Sequence, residues 1–156
     1  YARHLAGVDL SPRMVERARA RGDYDELAVA ELTAFLTDHP AAYDVIVSAD
    51  TLVYFGDLQP VMAVAAVALR PGGRMAFTVE RVTEAETPAG FSLHTSGRYQ
   101  HSETYLRRVL DPVGLAVESL EAATLRMEGG QPVGGWVVVA RRSPAWDQAI
   151  DEESPS

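Results

Sequence analysis

The sequence predicts one three-layer α/β domain with a mostly parallel sheet closed by one antiparallel strand. Three observations predict it. Short apolar, β-branched runs alternate with amphipathic helical stripes from residue 4 to residue 113. Sharp breakers separate them, as in Arg70-Pro71-Gly72-Gly73. Two long strand patterns then close the chain across a Gly-rich link, Glu128 to Pro132, which makes them an antiparallel hairpin. Alternation of this kind implies a parallel sheet with right-handed crossovers. A length of 156 residues fits a single domain, residues 1–142, followed by an acidic tail over 143–156.

Each element has its own reason. His4-Leu5-Ala6-Gly7-Val8 is a short apolar strand closed by Asp9. Ser11-Pro12 starts a helix, with the serine as N-cap and the proline at the first helical position. Met14, Val15 and Ala18 mark its apolar face, and Gly22 stops it. A weak strand, Leu27-Ala28-Val29, leads to Glu31 and a short helix through Ala34-Phe35-Leu36, ended by His39-Pro40. Asp44-Val45-Ile46-Val47-Ser48 reads as a parallel strand covered on both faces, because it is continuous and β-branched. Leu58, Val61, Met62, Ala65, Ala66 and Leu69 form a wide helical stripe. After the Pro71-Gly72-Gly73 break, Arg74 to Val79 is the next strand.

Residues 81–101 form the least regular stretch, a long loop of the kind that carries function. Ser102 caps a helix with Tyr105, Leu106, Val109, Leu110 and Val113, stopped by Pro112 and Gly114. The closing strands run from Leu115 to about Arg126 and from Val133 to Arg141. The pairs Gly129-Gly130 and Gly134-Gly135 join no strand to a helix, so they are turns or close-packing positions rather than phosphate loops.

Composition bounds the function. The chain has no cysteine, which excludes disulfides, iron–sulfur clusters and a thiol nucleophile, and suggests a reducing, cytoplasmic setting. A net charge of −8 argues against nucleic-acid binding, although Asp147, Asp151, Glu152 and Glu153 crowd the tail. No apolar run approaches the roughly 20 residues that span a bilayer. No metal is expected, since no H-x-x-x-H and no clustered carboxylates occur.

In open parallel sheets, ligands bind beyond the carboxyl ends of the strands. Asp9 closes the first strand, and its ionised carboxylate can accept both hydroxyls of a ribose diol or can simply favour the helix that follows. Glu31 after the second strand can accept an adenine amine or can be a solvated surface acid. After the third strand, Ala49 lets a ligand approach the backbone, while Leu52, Tyr54 and Phe55 can wall a pocket. Leu52 and Phe55 also suit an ordinary core.

Three segments in this order resemble the class I S-adenosylmethionine-dependent methyltransferases. They are Gly7-Val8-Asp9-Leu10-Ser11-Pro12-Arg13-Met14, Tyr43 to Asp50, and Leu69-Arg70-Pro71-Gly72-Gly73-Arg74. The resemblance covers most of residues 4–141 and implies a three-layer Rossmann-like methyltransferase sheet with S-adenosylmethionine as cofactor. It implies Asp9 on the cofactor ribose, Leu10 and Met14 near the adenine, Glu31 and Leu32 on the adenine edge, and Ala49 near the methionine portion, with Leu52 in the same pocket. Leu52 to Leu58, with Gly97 to His101, looks more narrowly like bacterial methyltransferases found behind tetratricopeptide repeats. The family's first strand and Gly-rich loop, normally just before the Asp9 strand, are absent. A gap is therefore expected between the Asp9 and Val45 strands. An upstream portion is also expected, with a repeat or helical domain among the options, and the chain as written should bind cofactor poorly.

Methyl transfer needs positioning above all, and a base only where the acceptor starts protonated. His101 and Tyr99 are the candidates for that role, with His94 behind them. Tyr54 and Arg98 are candidates for holding a small-molecule or protein acceptor, Arg98 through a bidentate contact to an acid. His4 and His39 read as structural. The alternatives are a nicotinamide-dependent oxidoreductase, which also places an acid on a ribose, and a methyltransferase-like binding module without turnover.

Overall fold

A computed structural model describes residues 2–83 and 87–144 of the chain. Among these are eight strands and four α-helices: β1 (Ala6–Asp9), α1 (Pro12–Arg21), β2 (Glu26–Val29), α2 (Leu32–Thr37), β3 (Tyr43–Ser48), α3 (Gln59–Ala68), β4 (Leu69–Arg81), β5 (Phe91–Leu93), β6 (Tyr99–His101), α4 (Glu103–Leu110), β7 (Leu115–Glu128) and β8 (Gln131–Arg142). The α/β alternation is as expected.

Local chemistry sets the boundaries. The Ser11 hydroxyl accepts the Met14 amide at 3.3 Å, and Gly22 ends α1 at φ 74°. Ser102 does the same for α4, accepting the Tyr105 amide at 3.2 Å. Gly129 and Gly130 have φ of 55° and 76° and form the two-residue turn between β7 and β8, the geometry a twisted hairpin requires. Gly135 lies inside β8 because any side chain there would strike Leu125 and the Val79 carbonyl.

The strands form two sheets. β1 and β2 pair in parallel by themselves, and β3 to β8 make a six-stranded sheet, β5-β6-β4-β8-β7, with β3 also on β4. The division falls between the Asp9 and Val45 strands, where a gap was expected. β8 is antiparallel to both β4 and β7. On the other edge of β4, β3 runs parallel up to Phe77, and β6 takes over in parallel beside Glu80 and Arg81. The buried core lies around this larger sheet, with Met75, Phe77 and Val79 of β4 against Met62, Leu106, Leu110 and Val138.

Four expectations need correction. Residues 81–101 are not wholly irregular, because β5 and β6 form a short antiparallel hairpin closed by residues 94–98. The sheet therefore has two antiparallel strands, β5 and β8, rather than one. β3 is not covered on both faces: Ile46 and Ser48 are buried, but Val45 and Val47 are 58% and 73% exposed. The α3 stripe is trimmed at both ends, since Leu58 is the N-cap and Leu69 already belongs to β4. The Pro71-Gly72-Gly73 break is an outward excursion of β4, where Tyr43 to Val45 on β3 is matched by Leu69 to Arg74. Of the expected tail, Ser143 donates its amide to Gly114 at 3.0 Å, and residues 145–156 lie outside the described residues. No helix among the described residues is long and apolar enough to cross a membrane.

Candidate active site

Asp9 ends β1 fully in reach of solvent, and its Oδ1 accepts the Ser11 amide at 2.8 Å. That bond turns the chain into α1 and leaves further lone pairs on the carboxylate. The neighbouring strand end is tied to it, since Ala30 donates its amide to the Asp9 carbonyl at 3.1 Å. This brings Glu31 beside the end of β1. Glu31 is not a free surface acid: it caps α2, accepting Thr33 and Ala34 amides at 2.9 and 2.8 Å, one on each oxygen. The Thr33 amide is the main reason its carboxyl titrates below the usual range. Leu10 and Met14 are 69% and 48% exposed, and Leu32 is half-buried against the core. Two ionised acceptors and two exposed apolar side chains at one pair of strand ends fit an adenosine group.

The end of β3 is strained. Asp50 holds φ 54°, a left-handed conformation that costs a non-glycine residue about 1 kcal/mol or more. Its amide donates to Thr78 Oγ1 at 3.4 Å, and its carboxylate meets Arg126 at 3.0 Å. Ala49 beside it is exposed, as a ligand-facing position should be. Tyr54 is 65% exposed. Leu52 corrects the reading of a pocket wall. It is completely buried within the main core, so it offers a ligand no surface.

The three candidates from the long loop take different positions. Tyr99 is half-buried, edge-on to Phe91 with ring centroids 6.2 Å apart. Arg98 is not an open cation. It gives its Nε–H to Glu80 at 2.7 Å and its Nη2 to both oxygens of Glu128, so the acids it holds are the protein's own. Glu80, only 3% exposed, holds its guanidinium firmly in the charged form. His101 has no exposed surface, and its Nε2 donates to the Gly56 carbonyl at 3.0 Å. Its Nδ1 is buried without a hydrogen-bond partner. The ring stacks on Tyr105, and Trp136 donates to its backbone carbonyl at 3.2 Å. Burial lowers its pKa below the ordinary histidine value. So placed, His101 anchors the segment after β3 to β6 and has no contact with solvent.

Sequence reasoning missed a five-member charge network at the carboxyl ends of the larger sheet. Glu80 is shared by Arg98 and Arg126 (2.7 and 3.1 Å), Glu128 is shared by the same two arginines, and Asp50 joins through Arg126. The available signal was Glu80-Arg81 directly after an apolar strand, the same rule that picked out Asp9. Asp50 carried no sequence signal for its backbone strain. Among the described residues, no group of three or more acids and histidines is arranged to hold a metal ion.

Residues 2–75 match the family model described as "Methyltransferase domain". No curated protein is significantly similar to the chain in sequence. Solved structures are similar in fold. An S-adenosylmethionine-dependent methyltransferase from Mesorhizobium loti is 22% identical, with TM-score 0.67 over 90% of this chain and 81% of its own. A Methanosarcina mazei protein described in the same terms is 15% identical, with TM-score 0.67 over 88% and 81%. Geranyl diphosphate C-methyltransferase from Streptomyces coelicolor is 14% identical, with TM-score 0.67 over 88% and 62%. The described chain therefore has the fold of solved S-adenosylmethionine-dependent methyltransferases.

Proposed function

We propose that this chain carries cofactor- and acceptor-binding residues of a methyltransferase that moves a methyl group from S-adenosylmethionine to a small-molecule acceptor. The observation that carries the reading is the pair of carboxylates, Asp9 and Glu31, at hydrogen-bonded parallel strand ends beside exposed Leu10 and Met14. When bound, the cofactor supplies an electrophilic methyl group on a sulfonium. Everything else asked of the protein is placement. Asp9 accepts the ribose hydroxyls, its geometry fixed by the Ser11 amide. Glu31 and Leu32 border the adenine edge, with Leu10 and Met14 against the ring. Ala49 keeps the end of β3 open for the amino-acid portion. Tyr54 and Tyr99 border the acceptor. His101 is a positioning residue, holding Gly56 so that the segment from Ala49 to Gly56 keeps its shape. A small acceptor agrees with the solved Streptomyces coelicolor neighbour, whose bound molecules include geranyl diphosphate.

The test is a nuclear magnetic resonance titration of this chain with S-adenosylhomocysteine and, separately, with NAD. Shifts should concentrate at residues 9–14, 31–33 and 48–50 with the first ligand. Asp9→Ala should weaken them about 10-fold or more, the loss expected of a hydrogen bond to a charged group. Shifts at those positions with NAD alone would overturn the reading.

A further inference from the structure

The cleft of about 410 Å³ between the β5–β6 turn and the β7–β8 turn contains an arginine that the charge network does not use. It opens at the carboxyl ends of β4 and β7, where parallel sheets place their ligands. Both of its acids are already ion-paired. Glu80 and Glu128 face two guanidinium groups, Arg98 and Arg126, and each carboxylate contacts both. Arg81 has no carboxylate within ion-pair distance among the described residues.

Arg81 is nonetheless seated. Its guanidinium lies 5.5 Å from the centre of the Trp136 ring. Beneath it is Gly134, where a Cβ would stand 3.2 Å from the Arg81 Nη2. Gly134 has no left-handed backbone to explain it, and glycine inside a strand weakens that strand.

A second donor borders the same cleft. His94 Nδ1 accepts the Ser96 amide at 3.1 Å and lies 3.0 Å from the Ser96 hydroxyl. That arrangement leaves the ring proton on Nε2. Gln100 and Gln131 complete the polar lining. The result is one cation outside every ion pair among the described residues, with His94, Gln100 and Gln131 beside it and the two carboxylates of the cleft, Glu80 and Glu128, held by Arg98 and Arg126.

We propose that this cleft binds an oxyanion, a carboxylate or phosphate group carried by the methyl acceptor, with Arg81 as its anchor and His94 as a second donor. Calling the ligand an acceptor rests on the methyltransferase reading. The anion site itself is tested without any methyl donor, so the two fail separately.

The chain has two tryptophans, and Trp146→Phe leaves Trp136, under Arg81, as the reporter. Its fluorescence is titrated with sodium acetate and with inorganic phosphate at constant ionic strength, chloride making the balance. A saturable change below 50 mM is expected with at least one of them. Acetate alone would assign a carboxylate, and phosphate alone a phosphate group. Arg81→Gln should weaken the midpoint at least 10-fold, and His94→Ala a few-fold. Arg17→Gln, on the exposed side of α1, should leave it within twofold. Gly134→Ala, which crowds the Arg81 seat, gives an independent few-fold loss if Arg81→Gln does not fold. Linear responses to both anions up to 100 mM would overturn the proposal. So would a midpoint that neither Arg81→Gln nor Gly134→Ala moves.

Discussion

The two sheets use the same strand–helix pattern but bury very different amounts of it. In the β1-α1-β2-α2 half, the buried hydrophobic side chains are Val15 and Leu36, and both strands consist of intermediate and exposed positions. In the six-stranded half, β4 alone buries Leu69, Met75, Phe77 and Val79. The half that carries Asp9 and Glu31 is held mainly by backbone pairing and two helix caps. The half that carries the charge network and His101 is held by a dense core. Asp9, Leu10, Met14, Glu31 and Leu32 thus lie on the thin side of the molecule, and Ala49 and the acceptor candidates on the thick one.

That contrast breaks if both sides respond alike to truncation. Phe77→Ala should cost about 3–5 kcal/mol in urea denaturation, as deletion of a buried aromatic ring does, whereas Val8→Ala in β1 should cost about 1 kcal/mol or less. Next in size is Glu80→Gln. Removing the shared carboxylate leaves two guanidinium groups short of a partner. The expected loss is about 2–3 kcal/mol, below that of a sealed pair because Arg98 and Arg126 keep 19% and 26% of their side chains exposed. Smallest is the pH dependence of the thick side. The folded-state pKa of His101 is lowered by burial, so the unfolded chain binds its proton more readily. Stability from this group is complete above about pH 6.5 and is lost as the pH falls from there through the lowered folded value, with a slope of at most about 1.4 kcal/mol per pH unit. His101→Gln should flatten that part of the stability profile. An unchanged slope would show that the ring titrates freely.

The elements that sequence made legible are those fixed locally. Ser11-Pro12, Gly22, Ser102 and Gly129-Gly130 each act within a few residues, and the structure places a cap or turn at every one. The β5–β6 hairpin was not legible, because its strands have three residues each and owe their place to β4, a non-local partner. The same reason hides the charge network, whose Glu80 and Arg126 stand 46 residues apart with no periodicity to link them. Burial was the other blind spot. Leu52 and Val47 are both apolar and five residues apart, yet one is sealed and the other is 73% exposed, a difference set by what packs over the turn that holds Leu52 and over the β3 face that holds Val47. The Asp9 and Glu31 positions were legible because a single rule, acids at strand ends, singled them out. The capping of α2 by Glu31 was not foreseen.

The left-handed turn at Asp50 has a kinetic meaning. A strained residue pinned on one side by Thr78 and on the other by Arg126 reaches its shape during folding, before any small molecule arrives. A ligand that docked at Ala49, as proposed, would meet a rigid threshold, with little ordering entropy charged to the encounter. Asp50→Gly would ease the backbone while cutting the tie to Arg126, turning that threshold into a hinge.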